Sequence, residues 1–113
     1  MAISDVQLKN KYYQVFDSSG KKIKEIHETN VGELCGFSSY FMVFKKNKYY
    51  ATYDENFKKI KEIHETNVGE FRVASGSTVT FCKNKYTATY DKFFKKISER
   101  YTGWTFKHTI TKL

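Results

Sequence analysis

The stretch KKIKEIHETNVGE at residues 21–33 occurs a second time, letter for letter, at residues 58–70. The offset of 37 residues extends upstream, where the chain contains three related segments: NKYYQVFD at 10–17, NKYYATYD at 47–54 and NKYTATYD at 84–91. Self-similarity at a fixed period of this size is typical of repeat architectures, in which each unit is one supersecondary element. The chain therefore consists of three copies of one unit.

A complete copy contains four short segments of strand composition separated by turn residues. In the middle copy these segments are residues 31–37, 40–45, 48–54 and 58–65. The third segment alternates Tyr49, Ala51 and Tyr53 with Tyr50 and Thr52, which is the period of two expected for a strand. We expect the large-small-large face to pack against a neighbouring sheet, with the alanine leaving room for an aromatic ring of that sheet. An aromatic content of 18% and the absence of proline also favour an all-β protein.

The copies divide one domain into repeat 1 at about residues 1–30, repeat 2 at about 31–67 and repeat 3 at about 68–102, followed by a segment at 103–113. Four strands per repeat, together with the shared pattern NKYxxxYDxxxKKI, resemble the short tandem-repeat β-propeller proteins. This resemblance covers nearly the whole chain and implies that each repeat is one blade.

The repeats are out of phase with the chain. Met1 aligns with Ser38, so repeat 1 begins at its second strand, whereas residues 103–113 align with the first strand of a further repeat. Propellers have about four to eight blades, and a ring avoids open edges when one terminus completes the blade built by another. We therefore expect a strand-swapped homodimer that closes as a six-bladed ring, with 103–113 as the closing strand. A monomeric β-trefoil, which also has three copies of four strands, is the alternative.

The charge pattern argues against dedicated nucleic-acid recognition. The formal net charge is +8, but only Arg72 and Arg100 among the 20 basic residues are arginines, and arginine is preferred for bidentate phosphate contacts. No apolar run approaches the roughly 20 residues of a membrane span, and the amino terminus does not resemble a signal peptide. The two cysteines lack the spacing of a metal site. We expect a cytoplasmic protein with free thiols.

The E-T-N-V-G segments at residues 28–32 and 65–69 are the candidate binding regions. In a propeller they would link the last strand of one blade to the first strand of the next, on the face where propellers usually bind. Hydrogen-bonding groups and aromatic rings in these segments predict a polar ligand such as a carbohydrate, or a protein. The candidate residues are His27, Glu28, Thr29, Asn30, His64, Glu65, Thr66, Asn67 and Trp104.

Paired lysines begin each fourth strand: Lys21 and Lys22, Lys58 and Lys59, and Lys95 and Lys96. Lysine on an exposed edge strand prevents edge-to-edge aggregation, which accounts for these pairs without a ligand. The alternative is a surface of lysines and tyrosines that binds a polyanion or a nucleic acid.

No segment carries a catalytic signature. The segment HETNV lacks the second histidine of the H-E-x-x-H zinc motif, and Cys35 and Cys82 have no base nearby in sequence. Asp17, Asp54 and Asp91 are explained as turn residues that accept backbone N–H bonds. We therefore expect a non-catalytic binding or interaction scaffold without a metal or cofactor, and the remaining alternative is a purely structural assembly protein.

Overall fold

A computed structural model describes residues 2–102 of the chain. Trp104 and the expected closing strand at 103–113 lie outside the described residues. Sheet 1 is an antiparallel meander of β1 (Asp5–Lys9), β2 (Tyr12–Phe16) and β3 (Lys22–His27). One helical turn, α1 (Glu28–Val31), leads from this sheet to the next.

Sheets 2 and 3 each have four strands in the order of the chain. Sheet 2 consists of β4 (Glu33–Phe37), β5 (Met42–Lys46), β6 (Tyr49–Tyr53) and β7 (Lys59–His64), and is followed by the helical turn α2 (Glu65–Val68). Sheet 3 consists of β8 (Glu70–Ser75), β9 (Thr78–Lys83), β10 (Tyr86–Asp91) and β11 (Lys96–Tyr101). The all-β expectation is confirmed. Each sheet is built from the strands of one repeat, and the only helices within residues 2–102 are α1 and α2.

Two kinds of hairpin turn explain the motifs that recur between repeats. Asn47 and Lys48 both have positive φ angles, of 51° and 71°, as the central residues of a two-residue type I′ hairpin require. In the next hairpin, the carboxylate Oδ1 of Asp54 accepts hydrogen bonds from the N–H groups of Asn56 and Lys58, both at 2.9 Å. The same contacts occur at Asp17 and Asp91, so these aspartates fix the turn that precedes each fourth strand.

Sheet 2 is the central layer and is apolar on both faces. Met42, Phe44, Ala51 and Tyr53 pack with Tyr13 and Val15 of sheet 1. Phe41, Val43 and Tyr50, on the opposite face, pack with Phe81 and Ala88 of sheet 3. The side chains alternate between the two faces along β5 and β6, as the period of two predicts. Phe44 and Phe81 are fully buried at equivalent positions, each with an edge-on tyrosine ring from the preceding sheet at 4.9 Å.

The first strands bring sheets 2 and 3 closest together. β4 and β8 run near each other, whereas the fourth strands β7 and β11 make no comparable approach. Gly36 on β4 permits this contact, because a Cβ atom there would lie 2.7 Å from the ring of Phe71 on β8. The sheets therefore converge at their first strands and separate toward their fourth strands.

The outer face of sheet 1 is polar where the equivalent faces are apolar. Gln7 and Gln14 are cross-strand partners in sheet 1, and Glu25 lies opposite Gln14. The equivalent row in sheet 2 is Phe44, Ala51 and Glu62. Glutamine thus replaces the buried phenylalanine of the inner layers, and the face that meets no other described sheet is suited to water.

The outer face of sheet 3 shows the same change. Thr87 lies opposite Cys82 and Arg100. In sheet 2 the positions of Thr87 and Arg100 are occupied by Tyr50 and Ile63. Threonines also form the neighbouring pair Thr80 and Thr89. Both ends of the described stack are therefore polar, as terminal units of repeat proteins usually are.

Candidate functional site

The E-T-N-V segments, which the sequence analysis described only as links between consecutive blades, form single turns of helix. His27 caps α1, because its Nδ1 accepts the N–H of Thr29 at 3.2 Å and lies 2.9 Å from the Thr29 hydroxyl. His64 and Thr66 repeat these contacts in α2. The two histidines predicted as ligand residues thus satisfy backbone groups at the start of each helical turn.

Each helical turn ends at a glycine pressed against the next sheet. Gly32 has φ of 90°, and a Cβ atom there would lie 2.3 Å from the carbonyl oxygen of Lys45. Gly69 has the same conformation against the carbonyl of Cys82. Glycine is required here by both its backbone angle and the close approach.

Aromatic pairs lie on the surface where the third and fourth strands meet. Tyr49 and His64 are cross-strand partners with ring centroids 4.9 Å apart in an edge arrangement. Tyr12 with His27 and Tyr86 with Tyr101 form the equivalent pairs in the other sheets. The Tyr49 side chain is 43% exposed, so part of its ring is available to a ligand.

A cavity of about 280 Å³ opens beside Tyr49, on the face of sheet 2 that is turned toward sheet 1. Its floor includes Ala51, and Asn30 and Val31 of α1 form one side. The complete lining is Asn30, Val31, Lys46, Asn47, Tyr49, Ala51, Tyr53, Lys59 and Glu62. Ala51 belongs to the buried cluster that contains Tyr13 of sheet 1 and also lines this cavity.

A second cavity, of about 250 Å³, occupies the equivalent position on sheet 3. Seven of its lining residues are at positions equivalent to lining residues of the first cavity: Val68, Lys83, Asn84, Tyr86, Ala88, Lys96 and Glu99. In sheet 1 the alanine position is Gln14, whose amide nitrogen donates to Glu25 Oε1 at 3.2 Å. The fold therefore builds the same cavity on sheets 2 and 3, and a longer side chain extends over this floor in sheet 1.

Each charged side chain of the cavity walls has a hydrogen-bond partner. Lys59 Nζ lies 2.7 Å from Glu62 Oε1, and this hydrogen bond raises the pKa of Lys59. Lys46 Nζ donates to the Thr29 carbonyl at 2.7 Å, and Lys83 makes the same bond to Thr66. Because Lys59 is matched by Glu62, the wall is suited to hydrogen bonding with a polar ligand more than to holding a strongly charged one.

The predicted lysine surface is partly neutralised. The second lysine of each pair, at the start of β3, β7 and β11, binds a glutamate three residues later: Lys22 with Glu25, Lys59 with Glu62 and Lys96 with Glu99. The three strands are edge strands of their sheets, where such pairs are solvated and contribute little to stability. Their ion pairs reduce the attraction of these lysines for a polyanion.

One predicted ligand residue forms an ion pair between sheet 2 and α2. Glu65 Oε1 lies 2.8 Å from Lys45 Nζ. The hydrogen bond lowers the pKa of Glu65 and raises that of Lys45. The Glu65 carboxylate is therefore already bound by a lysine. Glu28 is the equivalent residue in the first repeat, and there the position equivalent to Lys45 is Leu8.

The structure brings few of the predicted ligand residues into the cavities. Asn30 lines the first cavity, but His27, Glu28 and Thr29 do not. Their counterparts His64, Glu65, Thr66 and Asn67 do not line the second. The lining residues that sequence reasoning missed, such as Tyr49 and Asn47, belong to the NKYY motif. The signal that identifies them is a small residue, Ala51 or Ala88, two positions after the first tyrosine of this motif in repeats 2 and 3.

The chemistry of the Cys35 thiol is set by its burial and by a nearby carboxylate. Burial, followed by the nearby Glu33 charge, raises the pKa of the Cys35 thiol to about 11, so this thiol stays protonated and is a weak nucleophile near neutral pH. Both cysteines are free. No group of three or more metal-ligating side chains occurs within residues 2–102.

Neither of the four-residue helices in the described chain has the length or apolar character needed to cross a bilayer. Comparison with protein-family models, with curated proteins and with solved structures finds no match to this chain.

Proposed function

We propose that this protein is a non-catalytic binding scaffold whose equivalent cavities take a small, polar, largely uncharged ligand with the chemistry of a sugar. The observation that carries the proposal is the repetition of one cavity on sheets 2 and 3 with the same lysine, asparagine, tyrosine, alanine and glutamate. A feature that recurs at equivalent positions follows from the repeat itself and not from a local packing fault.

The lining fits this ligand class. The exposed part of the Tyr49 ring offers an apolar surface, while Asn47 and the pair of Lys59 and Glu62 offer donors and acceptors. Ligand sites of small molecules combine an apolar wall with a few placed polar groups, and begin at volumes of about 300 Å³. Cavities of 250 and 280 Å³ suit one ring of a carbohydrate more than a bulky cofactor. Two such sites on one chain would add avidity for a ligand that repeats the same group.

We also propose that two chains assemble into the six-bladed propeller. Sheets made from single repeats and the convergence of β4 with β8 support blades around an axis, and favour this arrangement over a trefoil. Ring closure would place the outer face of sheet 3 against the partner's sheet 1. Because Thr87 and Gln14 make those faces polar, that contact would be hydrated, and exchange of an edge strand would have to supply most of the affinity. An open monomeric stack with two polar ends is the competing outcome.

Titration with monosaccharides at millimolar concentration, followed by amide chemical shifts, tests the binding proposal. We expect shifts in the residues that line both cavities. Replacing Tyr49 and Tyr86 by serine should weaken binding by about tenfold, which corresponds to about 1.4 kcal/mol. Tyr12→Ser is the matched control, because Gln14 extends over the corresponding floor of sheet 1. A panel of sugars without any shift, or shifts that persist in the Tyr49 and Tyr86 variant, would overturn the proposal.

The lysine surface remains a second proposal with less support, because Lys22, Lys59 and Lys96 are ion-paired. Filter binding of single-stranded nucleic acid over a series of salt concentrations tests it. Binding that falls steeply with salt would favour polyanion recognition, and absent binding would remove it. A purely structural role would leave both assays negative while the assembly persists. The cytoplasmic location stays a prediction from the sequence.

A further inference from the structure

One edge of sheet 1 has no strand beside it in the described part of the chain. β1 pairs with β2 on one side only. Its equivalents in the other sheets, β5 and β9, are each paired on both sides, because β4 and β8 lie on the second edge. The N–H and C=O groups along the free edge of β1 are thus a template for an added strand.

We propose that residues 107–112 of a second copy of this chain add to β1 as the fourth strand of sheet 1, a proposal that rests on the two-chain assembly above. Advancing β8 (Glu70–Ser75) by one repeat of 37 residues gives the segment 107–112, KHTITK. Its alternation of threonine and isoleucine suits a strand.

The register of this added strand follows from the other two sheets. Glu33 pairs with Lys45 in sheet 2, and Glu70 pairs with Cys82 in sheet 3. The same position in sheet 1 pairs Lys107 with Leu8. Both sheets have a register shift after their second residue pair, so Thr109 is the extra residue and Ile110 pairs with Val6. Cross-strand partners share a face, and the face of Val6 is the buried one.

The chain's own tail is too short to fill this edge. β11 belongs to sheet 3, and sheet 2 lies between sheets 1 and 3. The path from Thr102 to β1 therefore crosses two sheet spacings of about 10 Å each and must also pass around sheet 2. The five steps from residue 102 to residue 107 span at most about 18 Å when fully extended. The strand must come from another molecule.

Disulfide trapping between two differently labelled chains tests this register. Both natural cysteines are first replaced, Cys35 by alanine and Cys82 by threonine. A chain with Leu8→Cys is then mixed with a chain carrying Lys107→Cys under mild oxidation. We expect a covalent dimer of the two different chains. Lys112→Cys, five residues farther along, is the control and should cross-link to Leu8→Cys at least tenfold less.

Light scattering on the same samples separates the possible failures. A dimeric mass without the Lys107 cross-link would overturn the strand addition and leave the two-chain assembly intact. A monomeric mass would overturn both. Amide exchange of β1 in the unmodified protein is an independent readout, because the added strand should protect β1 amides in a concentration-dependent manner. Removal of residues 103–113 should abolish that protection, and protection that survives the truncation would contradict the proposal.

Discussion

The phenol oxygen of Tyr50 accepts a hydrogen bond from the backbone N–H of Phe71 at 3.2 Å, and so joins the third strand of sheet 2 to the first strand of sheet 3. Tyr13 and Leu34 make the same bond, at 3.1 Å, between sheets 1 and 2. The equivalent residue of sheet 3 is Thr87. Among the described sheets, tyrosine occupies this position where another sheet follows, and threonine occupies it where none does.

Removing that hydroxyl should destabilise the protein more than removing an exposed one. Tyr50→Phe leaves the Phe71 N–H without its acceptor in a partly buried site, which costs about 1–3 kcal/mol. Tyr49→Phe alters a neighbouring surface ring and should change the free energy of unfolding by less than about 0.5 kcal/mol. Urea denaturation of both variants provides the measurement. An equal decrease in the free energy of unfolding of the two variants would show that the hydrogen bond between Tyr50 and Phe71 does not contribute to stability.

A methyl group at Gly32 should disrupt the contact between α1 and β5. The added Cβ would meet the Lys45 carbonyl, and the φ angle of 90° disfavours any other residue. We expect Gly32→Ala to lower the free energy of unfolding by about 2 kcal/mol or more. Gly76→Ala is the control, because it also has positive φ but nothing within 4 Å of the new carbon. Thermal melts compare the two, and a similar loss in Gly76→Ala would attribute the effect to backbone angle alone.

The ion pair of Lys45 with Glu65 should stabilise the folded protein between the pH at which Glu65 is protonated and the pH at which Lys45 loses its proton. The pKa of Glu65 is lowered in the folded state, so its contribution is present above the unfolded value of 4.5 and is lost as pH falls through the folded one. The pKa of Lys45 is raised, so its contribution is present below 10.5 and is lost as pH rises through its folded value.

Lys45→Leu, which copies Leu8 of the first repeat, tests this pair. The titration midpoint of the Glu65 carboxylate, followed by NMR, should move upward when its hydrogen-bond donor is removed. Lys46→Leu serves as the control, because Lys46 binds the Thr29 carbonyl instead. An unchanged Glu65 midpoint in Lys45→Leu would mean that the salt bridge does not form in solution.

Restoring an inner-layer surface on sheet 3 should promote self-association. The double variant Thr87→Tyr with Arg100→Ile copies the row of Tyr50 and Ile63 in sheet 2, and large exposed apolar patches drive association. We expect the average mass at micromolar concentration to exceed that of the unmodified protein. Thr87→Ser with Arg100→Lys preserves polarity and should leave the mass unchanged. An unaltered mass in the first variant would show that polarity does not terminate the stack.

The strands of each repeat could be predicted because their signals are local. Alternation along β6 and the Asn-Lys turn before it act over a few residues, so the all-β architecture and its antiparallel sheets follow from the chain. The helical turns were missed because four residues, E-T-N-V, have too few positions to show a helical period. Their formation depends on the cap at His27 and on burial of Val31 by the next sheet.

The candidate site was harder to predict because it lies between repeats. The sequence pointed to the E-T-N-V-G segments, but the cavities are lined mainly by the third and fourth strands of the following sheet. Two of these features could have been predicted by comparing equivalent positions of the repeats. Gln7 takes the position of the buried Phe44 and Phe81, which indicates a polar outer face on sheet 1. The lysine of each ion pair precedes its glutamate by three residues, which indicates the pairing.

Sheet 2 is apolar on both faces and lies between two sheets whose outer faces are polar. A further repeat can therefore be inserted beside it. A duplicate of residues 33–69 inserted after Gly69 would present Phe44 and Ala51 to sheet 2 where sheet 3 now presents Phe81 and Ala88. To sheet 3 it would present a copy of the face that sheet 2 now presents. The terminal units would need no change. The letter-for-letter identity of residues 21–33 and 58–70 shows that the connection between consecutive sheets already recurs without change, and each inserted unit would add one more cavity.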